Sequence, residues 1–586
     1  MERLEKKIIH GHPYYYYSKW GSVNGKTRRI WQKYLGKLED IVKAVDGGGP
    51  APQSVDIFHY GLAKTLWLEC CRTRLIEAVN ALCPKRNQGL SIGEYIAIAA
   101  LNRAMHPTSK NSLYEWFSTT VLRREFPNAS EKALSSQRFW SHMDQIQPEM
   151  ALKMWTHIIK DVIRVEGIDV SSVCYDGTNF YTFIDTFNAR CQIAKRGKNK
   201  QGRANLRQVS YALFCSAQEQ IPLYYNIYDG NLNDTTQFPV MLEQFQDFFK
   251  TTFAQKHDIQ ACHSRVTLIF DKGNNSQDNF TLIDRLKLHY VGSKKLSEVK
   301  DVAEISNHDS RFTECKTLGL KNTKAFRMTK NLYGKDRTLV VTYNTELFNT
   351  QLLTLHNDIS KAVPQLKAVQ QKLQDRANGV ITKGKCPTIA SITKQCQRIL
   401  KRQYMKLVIP YTVTAGSGNT DTDTDTDTGK AIPVVTYRID TAAMKQLSET
   451  YLGKNLLVTD RTEWSNDRII LAYRSQFHIE NMFKEMKDRD IGSWWPMYHW
   501  TEQKIHVHAL YCTIAVLLRA LIYRRVKKGG IHISMKRMLT ELRAIKEVII
   551  LYPRKRNVKK ERQHTVLSKT SELQELLLSI LEVKRE

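Results

Sequence analysis

The sequence predicts a multidomain α/β protein, and three observations carry that expectation. Its 586 residues are 42% hydrophobic, enough for three or four separately cored units. Between about 170 and 292, short apolar runs closing on acidic residues alternate with helix-like segments, as in an α/β layer. On either side the apolar spacing turns helical, over 55–165 and again from Lys504 to Tyr523.

In chain order, residues 1–46 read as an N-terminal β hairpin unit. Tyr14 to Trp20 and Ile30 to Leu35 form its arms, and Asn24-Gly25 is its type I′ turn. Arg28, Arg29, Lys33 and Lys37 line the return arm, as phosphate contacts or as a solvated edge. Gly47 to Pro52 is a linker. Residues 55–165 form a helical domain broken at Pro84, Pro107 and Pro127. Its Arg103, Lys110, Arg123 and Arg124 suit a DNA-binding domain and a merely solvated scaffold equally.

Residues 168–300 form the first part of an α/β core. An apolar strand from Val170 ends in Asp176, and Asn179 to Ile184 follows. A basic turn carries Lys195, Arg196, Lys198, Lys200 and Arg203. Strands Val209 to Cys215 and Ile221 to Ile227 come next, then a helix near 238–253 and a buried strand from Arg265 that ends in Asp271. Residues 301–455 read as an α/β insertion. It has a hairpin from Phe326 to Tyr343 and a coiled-coil-like helix from Leu352 to Leu373, kinked at Pro364, that either pairs with a second copy or packs within its own chain. The Thr-Asp repeat of 420–428 reads as a disordered loop. Residues 456–525 complete the core, and 526–586 form a basic C-terminal helical tail.

Formal net charge is +30 and pI is near 9.6, which favours a polyanionic partner, nucleic acid first. A membrane surface is the rival, but no basic amphipathic anchor is found. The longest apolar run, Val507 to Leu518, is too short to span a bilayer. The start, Met1 to Lys7, lacks an apolar signal region, so a cytoplasmic, nucleoid-associated protein is expected. Eleven cysteines without a CxxC pair point to reduced thiols. His257, Cys262 and His263 lack the second ligand pair a zinc site needs.

The chemistry is concentrated in Tyr473 to Lys487, a stretch without Pro or Gly in which Ile479, Met482, Phe483 and Met486 recur at helical steps. Residues seven apart nearly eclipse, so Tyr473, Glu480 and Lys487 share one stripe, with Gln476 and Lys484 beside it. Alone, that is a surface helix laced by charge pairs. With Asp176 and Asp271 it becomes more. Three carboxylates brought together repel unless cations neutralise them, and hard oxygen donors select Mg²⁺ or Mn²⁺. Two such ions, with Asp176 bridging, suit in-line displacement at phosphorus.

These motifs together resemble a known family. Tyr175-Asp-Gly-Thr-Asn179, Gln208, Ile221-Pro222, Gly230-Asn231 through Asp234, Phe270-Asp-Lys-Gly-Asn274, Tyr473 to Lys487, and Pro496-Met-Tyr-His-Trp500 with His508 are similar to DDE transposases of prokaryotic insertion sequences. Val23 to Arg28 and Tyr34-Leu-Gly36 add to the match. The branch is the one marked by a Tyr-Arg-Glu-Lys signature, of the insertion-sequence sixteen-thirty-four type. The resemblance implies a ribonuclease-H-like core interrupted by an insertion before the glutamate. It also implies Mg²⁺-dependent end cleavage and strand transfer, and a homodimer on double-stranded DNA. Tyr473 and Lys487 match the signature and would contact phosphates near the scissile bond. The signature arginine is Gln476 here, which leaves Arg474 or Lys484 to supply that charge. Three outcomes remain open: transposase, a nuclease without joining, and a non-catalytic DNA-binding descendant.

Overall fold

The computed structural model describes residues 2–23, 26–45, 52–83, 89–198, 202–203, 205–253, 266–416, 431–489, 491–552 and 562–584. The Asn24-Gly25 turn, linker residues 47–51, the Pro84 break, Lys200, the 257–263 cluster, the Thr-Asp repeat and the Arg554 to Lys560 runs lie outside them. The chain divides into two compact units. One is Met1–Ile269 with Leu282–Leu288 and Ser475–Glu586, and the other is Phe270–Thr281 with His289–Arg474. Both mix strands and helices, as expected of a multidomain α/β protein.

The first unit opens with three antiparallel strands, Glu2–Ile9, His12–Val23 and Lys26–Gly36. The first was invisible in the sequence because Glu2, Arg3, Glu5, Lys6 and Lys7 leave little apolar signal. It is held by polar cross-strand pairs: Tyr17 donates to Glu2, and Trp20 Nε1 to Glu5 Oε1 at 2.8 Å. His10 and Gly11 turn it with φ of 51° and 80°, the pair of left-handed residues a two-residue hairpin wants.

Two corrections concern the flanks. Ser54–His59 is a strand rather than the start of a helical region. It pairs with Lys546–Tyr552, which pairs in turn with Arg562–Leu567, so the tail expected to be helical contains two strands. His59 and Lys546 are 487 positions apart, and local periodicity carries no trace of such a partner. Helices Gly61–Arg72, Leu75–Asn80, Ile92–Met105, Ser136–Met143 and Pro148–Glu166 follow the expected helical pattern. Ile92–Met105 starts at a reciprocal Ser91–Glu94 cap.

Against these packs Glu502–Lys528, which by length and composition could cross a membrane but whose most apolar window is entirely buried within the protein. The expected helix, Lys504 to Tyr523, extends a little further at both ends, and its buried cations are satisfied. Arg519 donates to the carbonyls of Ala104 and Arg103. Arg524 pairs with Glu166 and Glu219, and Arg525 with Glu69 and Glu166.

The sheet of this unit joins Ser172–Tyr181, Arg207–Ser216 and Pro222–Asp229 in antiparallel order, with Lys195–Arg196 on Arg207–Ser216 and Thr267–Phe270 beside Ser172–Tyr181. Helix Asp234–Phe253 lies over it through stacked Phe245 and Phe214, 4.2 Å between centroids, and through Phe238 on Tyr175.

The second unit is built on antiparallel strands in the order Thr313–Glu314, Thr323–Leu332, Lys335–Asn344, Lys454–Thr459, His289–Lys294. Strand Lys454–Thr459 is thus paired on both sides within this unit, and the expected insertion boundary at 455 cuts through it. Beyond the sheet, helices Thr345–Ala377 and Ile389–Ile399 and the ribbon Tyr411–Ala415 with Pro433–Tyr437 enclose a separate apolar core. Leu355, Ala362, Leu366, Val369 and Leu373 bury the expected stripe in it. Pro364 lies inside the long helix, which continues past it.

Candidate active site

Asp176 lies in the middle of strand Ser172–Tyr181, not at its end as the sequence suggested. Alternation along a strand puts Cys174, Asp176, Thr178 and Phe180 on one face and Tyr175, Gly177 and Asn179 on the other. The helix Gln476–Lys487 packs along this strand. It is pinned at both ends. Ser475 Oγ is 3.3 Å from Cys174 Sγ, and Gln476 Nε2 donates to the Tyr175 carbonyl at 2.8 Å. Lys487 donates to Thr178 Oγ1 and stands 5.5 Å from the Phe180 ring centroid. Asp176 therefore lies between strand positions that the helix grips, and Glu480 projects one turn into that helix. Ile479, Met482, Phe483 and Met486 are buried, as their spacing predicts, and Glu480 is exposed.

Gly177 N donates to Asp176 Oδ1 at 2.8 Å. A Cβ at Gly177 would meet Asp234 Oδ1 and Tyr228 Oη, each at 3.2 Å. Burial, with the charges of Asp234 and Asp176 behind it, pushes the Tyr175 and Tyr228 hydroxyls well above the ordinary tyrosine range. Sequence reasoning missed Thr178, Tyr228 and Asp234 as neighbours of Asp176. The motifs that contain Thr178 and Asp234 were the available signal.

Asp271 belongs to the second unit, directly after strand Thr267–Phe270. The Tyr473 hydroxyl is 3.2 Å from Asp271 Oδ1 and 2.7 Å from Ser293 Oγ. Tyr473, expected from the sequence to contact DNA phosphates, thus reaches the second aspartate. Arg474 is also occupied: its guanidinium donates to the Gly319 carbonyl at 2.6 Å and to Thr323 Oγ1 at 3.2 Å. The single helix expected over Tyr473 to Lys487 is two, Asn466–Arg474 and Gln476–Lys487, parted at Ser475, and the units divide there. Tyr473 therefore sits on a different helix from Glu480 and Lys487.

Gln476 is 6% exposed, so its amide anchors the helix to the strand instead of facing solvent. Lys484 is exposed. In the basic turn, Lys195 pairs with Asp229, Arg196 donates to Thr186 Oγ1 at 2.9 Å, and Arg203 stands over the Tyr181 ring. Lys198 is exposed. Among the described residues, no three His, Cys, Asp or Glu side chains are gathered into a metal cage. The chemistry of the donors still fits a hard divalent cation, since Asp176, Asp271 and Glu480 offer only carboxylate oxygens and the nearby Cys174 thiol is turned to Ser475.

A protein-family profile described as the transposase DDE domain matches residues 171–518. The chain belongs to that family. The matched stretch of this DDE transposase-family chain takes in Asp176, Asp271, Tyr473, Glu480 and Lys487 and leaves out the N-terminal sheet and the C-terminal strands. Among solved structures, the chain is similar to a piggyBac transposase synaptic complex with hairpin DNA at 9% identity and a TM-score of 0.33. That match covers 82% of this chain and 78% of the other. No curated protein matches it.

Proposed function

We propose that the chain is the transposase of an insertion sequence of the Tyr-Arg-Glu-Lys branch. It binds the terminal inverted repeats of its element, cleaves the DNA at the element ends and joins the 3′-hydroxyls to target DNA. The observation that carries this is the double anchoring of the Glu480 helix along the Asp176 strand, inside the segment that matches the family. We read the antiparallel strands of the first unit, with that helix against them, as a ribonuclease-H-like core.

In this reading Asp176, Asp271 and Glu480 would hold two Mg²⁺ ions, with Mn²⁺ as a substitute. Bound there, the ions supply Lewis acidity for in-line displacement at phosphorus. The side chains do the rest. Lys487, fixed over the Asp176 strand, would offer a positive charge to a phosphodiester near Asp176. The Tyr473 hydroxyl orients the Asp271 carboxylate. Gln476 takes the signature arginine's position but works on the strand backbone, so Lys484 is left as the exposed cation of this helix. The net charge of +30 supports double-stranded DNA as the partner, and a homodimer would hold two element ends together.

Purified protein with labelled terminal-repeat DNA and Mg²⁺ tests the proposal. Strand-transfer products support it, cleavage alone makes the chain a nuclease, and a mobility shift without cleavage makes it a binding protein. Asp176→Asn, Asp271→Asn and Glu480→Gln should each abolish cleavage while DNA binding persists. Near wild-type cleavage by any of them removes that residue from the site.

A further inference from the structure

The first unit holds a recess none of whose lining residues belongs to the carboxylate site. It is a cleft of about 410 Å³ lined by His59, His106, Thr108, Ser112, Glu115 and Arg543, among others. Strand Ser54–His59 ends in His59, helix Ile92–Met105 leads into His106 and Thr108, and helix Met535–Ala544 carries Arg543 near its end. The last two are tied together, because Arg543 Nη2 donates to the Met105 carbonyl at 2.6 Å.

That bond fixes the guanidinium without neutralising it. Among the described residues Arg543 makes no other hydrogen bond and no ion pair. Burial lowers its pKa from the ordinary guanidinium value, yet a guanidinium keeps its proton at neutral pH. It is half-buried at the cleft, so an entering anion can reach it.

The neighbouring groups are donors too. Lys546 Nζ stands 2.5 Å from His59 Nδ1. An ammonium only donates, so Nδ1 accepts and the ring proton sits on Nε2. Burial, then the charges of Lys546, His106 and Arg543, push the His59 imidazole down to about 4. At neutral pH His59 is therefore an uncharged donor through Nε2. Thr108 Oγ1 accepts from Asn102 Nδ2 at 3.0 Å, which leaves its own O–H to give, and Ser112 adds a second hydroxyl. Against these donors the lining sets one carboxylate, that of Glu115, at an exposed position.

A fixed guanidinium fork among neutral donors suits an oxyanion. A carboxylate offers two oxygens and a phosphodiester two unesterified ones, whereas a phosphate monoester offers three and carries nearly two charges at neutral pH. The monoester uses this donor set most fully. The cleft also exceeds the roughly 300 Å³ at which sites for organic ligands begin, so a bare phosphate would leave it mostly empty. Met105 and Trp116 complete the lining with apolar surface.

We propose that this cleft binds a phosphate monoester, its oxygens on Arg543, His59, His106, Thr108 and Ser112 and its organic body toward Met105 and Trp116. A free nucleotide and the 5′-phosphorylated end of a DNA strand both carry that group. The site goes beyond the transposase reading and does not depend on it.

Thermal unfolding of the full-length protein is followed with thymidine 5′-monophosphate, a short 5′-phosphorylated duplex, the same duplex with 5′-hydroxyl ends, and inorganic phosphate, because a ligand specific to the folded state raises the Tm with concentration. The monophosphate should exceed inorganic phosphate, or the phosphorylated duplex its hydroxyl-ended form, and whichever does so names the source. Arg543→Gln should weaken that ligand by about tenfold or more. Since Arg543 also holds the Met105 carbonyl, His106→Ala, at an exposed position, supplies a second variant. It should weaken the ligand by about threefold and keep the unliganded Tm. Glu115→Gln should tighten the ligand, because a repelling charge is gone. The proposal is overturned if neither ligand exceeds its control, if Arg543→Gln or His106→Ala binds it as wild type does, or if Glu115→Gln weakens it. DNA cleavage is measured separately, so failure here leaves the transposase reading standing.

Discussion

Tyr473→Phe removes one hydroxyl and leaves the ring in place, so it isolates what the contact with Asp271 does. The hydroxyl is 2.7 Å from Ser293 Oγ, a well-formed bond, and 3.2 Å from Asp271 Oδ1, which is long for an O–H donor. Losing the Ser293 bond at a half-buried position should cost about 1 kcal/mol of stability. A good hydrogen bond to a carboxylate contributes about 1.5–3 kcal/mol, and the long geometry places this one at or below the lower end. If that interaction orients Asp271 for the reaction, about 1.4 kcal/mol corresponds to a tenfold slower cleavage. Cleavage of labelled terminal-repeat DNA would show a loss of about tenfold with the mobility shift unchanged. Ser293→Ala supplies the control, because it loses the bond to Tyr473 and spares the one to Asp271. It should lower the urea midpoint by a similar amount and leave cleavage near wild type. If Tyr473→Phe cleaves as fast as wild type, or Ser293→Ala falls as far, Tyr473 only supports the fold and does not position Asp271.

Other consequences can be checked on the same protein. A Cβ on Gly230 would lie 1.8 Å from the Gln208 backbone oxygen, so Gly230→Ala should destabilise by about 3 kcal/mol or fail to fold, as read by urea unfolding. At Gly177 the nearest atoms are 3.2 Å away and belong to side chains, so alanine there should cost only about 1 kcal/mol. Burial pushes the His506 imidazole down to about 4 from its ordinary 6.5. Below pH 6.5 the unfolded chain therefore takes up a proton that the folded chain refuses, and stability falls as pH drops toward 4. His506→Gln should flatten part of that slope in unfolding measurements across this range. His59 and His478, pushed down for the same reason, would retain the rest.

What the sequence disclosed and what it hid divide along a physical line. Ile479, Met482, Phe483 and Met486 are buried where a helical period puts them, and Leu366, Val369 and Leu373 seat the long helix of the second unit in that unit's own core. Such patterns are legible because they depend on residues a few positions apart. Gly177 reads as the end of the strand through Asp176, whereas pairing with Arg207–Ser216 carries the strand on to Tyr181. The bond from Gln476 to Tyr175 spans 301 positions and that from Tyr473 to Asp271 spans 202. Partners so distant leave no local pattern to read.

The pairing of Ser54–His59 with Lys546–Tyr552 has a cost during synthesis. A ribosome must release nearly the whole polypeptide before this sheet can close, and until then the early strand has a bare edge. Products cut short by premature termination would keep that edge permanently, inviting aggregation or proteolysis.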